Sequence, residues 1–157
     1  MEFQKGMDIS GLPELEASGA EIKDFDGTVK DAFDLIKEYG VNSVRLRLWN
    51  NPENVKEADG YCDYAHTLAM AKRIKAHGMS FMLDFHYSDF WADPGQQNKP
   101  LAWKDLSFEK LKEAVFTFTK ETLSGLKAEG VLPDVVQIGN EIRSGLLFPD
   151  GELPDYK

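Results

Sequence analysis

Cysteine, histidine and clustered positive charge are all scarce in this chain. Its 157 residues hold one cysteine, Cys62, and three histidines. A single thiol excludes an intramolecular disulfide framework and a cysteine-based zinc site, and Cys62 reads as a bystander. Asp84 and His86 share one strand face, but His66 and His77 fall in helical segments on the far side, so no third ligand completes a zinc site. The 18 basic residues are scattered among 27 acidic ones, giving a net charge of −9 that argues against nucleic acid as a partner. No apolar run approaches the roughly 20 residues of a membrane-spanning helix, so no membrane partner is expected. The start, MEFQKGMDIS, lacks a charged segment followed by an apolar one, so no signal peptide is expected. The phosphate-cradling patterns GxGxxG and GxxxxGK[ST] are absent, and so is the GxSxG nucleophile elbow. A neutral or small ligand, with no cofactor, fits this composition.

What is present is a repeated unit. The length suits one domain with a real core. Residues 4–10 read as a short strand and 13–18 as one helical turn. Thr28 reads as an N-cap, followed by Val29, Ala32, Phe33 and Ile36 at helical spacing and a stop at Gly40. A strand at 41–49 follows. The pattern recurs as a helix at 63–77 (Tyr64, Leu68, Ala71, Ile74) and a strand at 79–87. It recurs again as a helix at 107–129 (Phe108, Leu111, Val115, Phe118) and a strand within 131–141. The three helices end KEYGV, KAHGM and KAEGV, each a glycine stop leading straight into a strand. Such alternation implies parallel βαβ units.

Side-chain parity then separates two architectures. Val44, Leu46 and Leu48 share one strand face, and Arg45, Arg47 and Trp49 the other. Phe81, Leu83 and Phe85 oppose Met82, Asp84 and His86; Val136 and Ile138 oppose Val135, Gln137 and Glu141. A sheet covered by helices on both sides would be apolar throughout. One aliphatic face and one polar interior, more polar toward the strand ends, is the pattern of a (β/α)8 barrel. The four strands and three main helices expected here supply half of one.

The stretch 135–142, VVQIGNEI, organises the rest: a short buried strand that stops at Gly139 and delivers Asn140 and Glu141 at its tip. Other polar strand ends are Asp8 and Ser10, Arg45 and Arg47, and Asp84 and His86. The arginines either neutralise Asp8 and Asp84 inside the barrel or serve a ligand. Glu141 is either a general acid or base, or a carboxylate favoured by the dipole of a following helix. The connection 88–105 is long and carries Phe90, Trp91 and Trp103 with Asp93, Gln96 and Gln97. Aromatic faces beside amides and carboxylates suit sugar rings; alternatively a tryptophan plugs the loop's own core, Trp103 more than Trp91.

Three runs, VRLRLWN at 44–50, LDFHYSDFWADP at 83–94 and QIGNEI at 137–142, closely resemble the arabinogalactan endo-β-1,4-galactanases of glycoside hydrolase family 53. KGMDIS at 5–10 and GLLFPDG at 145–151 extend the resemblance over nearly the whole chain. The histidine-to-proline block is long and specific and argues against a mannanase or cellulase, whereas Asn-Glu alone marks only the wider clan. The resemblance implies a secreted barrel enzyme that cleaves β-1,4-galactan with retention. Glu141 would be the acid/base with Asn140 beside it. Arg45, Asp84, His86 and Asp89 would hold the site and the bound sugar, with Trp91 as a platform. The family's nucleophile, a glutamate on strand seven, has no counterpart in this chain, so the 157 residues are expected to be the N-terminal half of a catalytic domain and inactive alone. Calcium, which some relatives bind, would belong to the other half. Open sheet edges would favour self-association. The competing expectation is a half barrel that binds carbohydrate, or serves structure, without catalysis.

Overall fold

A computed structural model of the chain describes residues 3–58 and 60–154. Residues 155–157, where the sequence leads toward a further helix, lie outside the described residues.

Four parallel strands form one sheet in chain order: β1 (Gly6–Asp8), β2 (Ser43–Leu48), β3 (Ser80–Phe85) and β4 (Val135–Ile138). Four α-helices accompany them: α1 (Leu12–Ala17), α2 (Ala32–Glu38), α3 (Tyr64–Ala76) and α4 (Phe108–Ala128). A small antiparallel pair, β5 (Gly145–Leu146) and β6 (Gly151–Glu152), closes the segment after β4.

The three glycine stops form as expected. Gly40, Gly78 and Gly130 have φ of 85°, 70° and 74°. Each gives its N–H to the carbonyl three residues back, and the next residue reaches five back, as in Met79 N to Ile74 O at 3.1 Å. This paired closure satisfies the last carbonyls of the helix and turns the chain into the next strand. It also packs Val41, Met79 and Val131 beside the helix they leave.

The aliphatic strand face is the core. Val44, Leu46 and Leu48 of β2 and Phe81, Leu83 and Phe85 of β3 are buried beneath Phe33, Ala71, Ile74, Leu111 and Leu126 of the helices. Truncating one of these, Leu83 for example, to alanine removes about 2–5 kcal/mol.

Several boundaries and one burial expectation differ from the sequence reading. The second helix begins at Ala32, not at Val29, because Asp31 is its cap and accepts from the N–H groups of Phe33 and Asp34. Val29 instead pairs with Lys23 in an antiparallel bridge closed by the Asp24 turn. Phe108 and Tyr64 lie at the ends of their helical stripes and stay exposed or nearly so. Above all, β4 is not a buried strand: Val135 and Ile138 are 51% and 58% exposed, because among the described residues no strand pairs with its outer edge. β1 is exposed along its length on the opposite edge.

Candidate active site

Register decides which charges meet. Asp8 lies opposite Arg45, Arg47 opposite Asp84, and Asp84 opposite Gln137, so the polar face carries rows of alternating sign. The Arg45 guanidinium bridges Asp8 and Asp84 and also donates to Asn140 Oδ1 at 2.8 Å. Arg47 donates to Asp8 at 3.3 Å, and the backbone N–H of Arg47 to Ser10 Oγ at 2.8 Å. The arginines therefore do neutralise both aspartates, and Arg45 additionally reaches the tip of β4. Burial pushes the Asp8 carboxyl up. The Ser10 hydroxyl and N–H, with the Arg47 and Arg45 guanidiniums, more than reverse this and hold it below its ordinary value.

Asp84 and His86 are fully buried. His86 Nδ1 accepts from the Trp49 indole N–H at 3.1 Å and from the Ala92 backbone N–H at 3.2 Å. Two donors on one nitrogen place the proton of a neutral ring on Nε2. Nε2 lies 3.1 Å from Asp84 Oδ2, off the line of a hydrogen bond, so that contact is electrostatic. Among the described residues, four buried side-chain polar atoms have no hydrogen-bond partner: Arg47 Nε, Asn50 Oδ1, Asp84 Oδ1 and His86 Nε2. All four belong to β2, β3 or the residues just after them. Unsatisfied buried polar atoms are rare, and these four lie together at one end of the sheet.

Asn140 and Glu141 are held differently. Gly139 ends β4 with φ 82°, and a Cβ there would meet the Ile142 side chain at 2.4 Å. Asn140 is buried, with Oδ1 on Arg45 and Nδ2 donating to Ala92 O at 2.7 Å. Glu141 adopts φ 50°, ψ 40°, the left-handed region, at the start of a 3₁₀ turn, Ile142–Ser144. Among the described residues its carboxylate caps no N–H and makes no hydrogen bond or ion pair, and the residue is exposed. Its carboxylate thus makes no capping hydrogen bond at the turn it precedes.

The connection 88–105 forms the wall beside these groups. Trp91 is 41% exposed, with the Arg47 guanidinium 4.3 Å from its ring centre and Trp49 edge-on at 5.8 Å. Trp103 packs on Phe118 of α4 at 5.8 Å and joins the main core, rather than plugging a core of the loop's own. Asp89, expected to meet sugar, is corrected by its surroundings. It is buried, and its carboxylate accepts from Asn51 N at 3.0 Å, Asn54 Nδ2 at 3.1 Å and Leu101 N at 2.9 Å. It clasps the loop after β2 to the loop after β3. The group Asp31, Asp34 and His77 has metal-like spacing, but it lies where α3 runs into the start of β3, away from the polar strand ends, and Asp31 is already held by Arg73.

Residues 4–157 match the model of glycosyl hydrolase family 53. The chain belongs to that family. It is 42% identical over 148 residues to an endo-beta-1,4-galactanase of Bacillus subtilis, covering 92% of this chain and 34% of the relative. It is 41% identical over 152 residues to a probable arabinogalactan endo-beta-1,4-galactanase A of Neosartorya fischeri, covering 97% and 41%. The solved catalytic domain of the family from Ignisphaera aggregans superposes with a TM-score of 0.89 at 43% identity, covering 96% of this chain and 42% of that one. The chain thus spans about two-fifths of the length of the relatives it matches, and its four-stranded parallel sheet is half of a (β/α)8 barrel.

Within this family 53 half barrel, the structure gathers Arg45, Asp84, His86 and Asn140 into one connected cluster, with Trp91 and Glu141 at its exposed border. Trp49, Ala92 and Gln97 complete that cluster, and their parts in it were not anticipated. Trp49 had a signal, since strand parity placed it on the polar face. Ala92 acts through its backbone, which no residue type reveals.

Proposed function

We propose that this chain is the N-terminal half of the catalytic domain of a retaining endo-β-1,4-galactanase that acts outside the cell on galactan and arabinogalactan side chains of pectin. Glu141 is its acid/base. As general acid it protonates the glycosidic oxygen while the bond to C1 breaks and a second carboxylate forms a glycosyl ester. As general base it then takes a proton from the water that attacks C1 and displaces that carboxylate. Asp8 and Asp84 are tied into arginine pairs, and in this reading the second carboxylate is the strand-seven glutamate that the family resemblance implies. The observation that carries this reading is Glu141 itself, an uncommitted carboxylate in a left-handed conformation beside a fully committed Asn140. Asn140, Arg45, Asp84 and His86 hold that corner, and Trp91, backed by Arg47, is the platform for a sugar face.

The test is galactan hydrolysis by the 157 residues and by a chain carrying all eight strands, each with and without Glu141→Gln. Activity of the longer form alone, abolished by the substitution, is the expected result. Cleavage by the 157 residues that depends on Glu141 would overturn the external origin of the second carboxylate. The exposed, arginine-backed Trp91 also supports a second reading, galactan binding without catalysis. In that case the longer form would bind but not cleave, and Trp91→Ala would weaken its affinity.

A further inference from the structure

The peptide that joins Asn140 to Glu141 is held by a side chain from another part of the barrel. Gln97 is buried in the 88–105 connection. Its Nε2 donates to the Asn140 backbone carbonyl at 2.7 Å and to the Asp93 carbonyl at 3.1 Å. Its backbone carbonyl accepts from the Phe148 N–H at 2.7 Å. Gln97 therefore belongs to both walls of the site, the loop after β3 and the loop after β4.

The bond falls at a decisive place. The carbonyl it fixes belongs to the same peptide plane as the Glu141 nitrogen. Orienting that plane sets where Glu141 begins, and Arg45 and Ala92 hold the Asn140 side chain at its other end. On the downstream side Ser144 Oγ donates to the Pro94 carbonyl at 2.7 Å, so the 88–105 connection grips the chain both before and after Glu141. Between these grips Glu141 has φ 50°, a conformation that residues with a Cβ adopt rarely and keep only when their surroundings over-determine it.

We propose that Gln97 is the positioning residue for Glu141, acting through the Asn140–Glu141 peptide rather than on the carboxylate. Its importance to chemistry rests on the acid/base reading above. The positional claim itself is read on Glu141 without any turnover. It explains why a buried, uncharged amide sits in a loop otherwise shaped by aromatics and aspartates.

The experiment is heteronuclear NMR of the 157-residue chain as Gln97→Met and Gln97→Glu, both of which keep the side-chain length and remove the donor. Lys99→Met is the control, because Lys99 joins the same two loops through Asp150 at 2.7 Å without touching Asn140. Both Gln97 variants are expected to move the Glu141 amide and Cα resonances. The Glu141 order parameter should fall from the rigid range near ~0.85 to below ~0.6. Lys99→Met should leave Glu141 unchanged. Unaltered Glu141 resonances in either folded Gln97 variant would overturn the proposal. So would unfolding of both Gln97 variants while Lys99→Met stays folded, since Gln97 would then serve the fold as a whole. Hydrolysis that survives Glu141→Gln would sink the acid/base reading and leave the positional one standing.

Discussion

The Arg45 guanidinium donates to the side-chain oxygen of Asn140 at 2.8 Å across 95 positions of sequence, joining the second strand to the tip of the fourth. The same guanidinium neutralises Asp84, which is fully buried. Arg45→Met should therefore cost about 3–5 kcal/mol in urea unfolding, because it strands a buried carboxylate rather than merely losing a contact. A loss under about 1 kcal/mol would mean that Asp84 is compensated some other way.

The tautomer of His86 follows from its donors. Two N–H groups point at Nδ1, so the ring should carry its proton on Nε2 beside Asp84. Long-range proton–nitrogen spectra read this directly, and a ring protonated at Nδ1 alone would contradict it. Trp49→Phe removes one donor and should cost about 1 kcal/mol.

Acid stability should depend on Asp8. Its carboxyl titrates below the ordinary 3.8 in the folded chain, so the folded state binds that proton less readily than the unfolded state does. Its contribution is therefore complete above the ordinary value and is lost as pH falls through the lowered one. Asp8→Asn should flatten the unfolding free energy against pH in the region below about 3.8. An unchanged acid limb in that variant would remove Asp8 from the account.

Association should show at the two open edges. β1 is exposed throughout, and among the described residues no strand pairs with the outer edge of β4, where Val135 and Ile138 are exposed. Unpaired edges template pairing with another chain, so a second copy is expected to bind there. Light scattering of the 157-residue chain should give a mass above the monomer. A strictly monomeric, cooperatively folding species would rule the association out.

Removing the clasp made by Asp89 should free the long connection without touching the core. Asp89→Ala deprives Asn51, Asn54 and Leu101 of their acceptor and should speed proteolysis within 88–105 at least several-fold. An unchanged digestion pattern would mean that the aromatic packing alone holds the loop.

The sequence by itself determined the repeating units and the two faces of the strands. Those depend on local chemistry: glycine after a helix, period-2 alternation in a strand, and the type of residue at each strand end. It also carried the motifs that mark family 53. Only the tertiary structure decided how the polar residues divide their labour. Asp89 reads like a ligand-binding acid, yet three loop donors surround it. Gln97 reads like one more loop amide, yet it holds the Asn140 carbonyl. β4 reads as buried because its residues are apolar, but burial depends on what lies beyond the strand, and local pattern does not contain that. Composition and spacing fix which groups are available. Which of the strand-end carboxylates stays uncommitted depends on partners brought together from distant positions: Asp8 and Asp84 are held by arginines, and Glu141 is not.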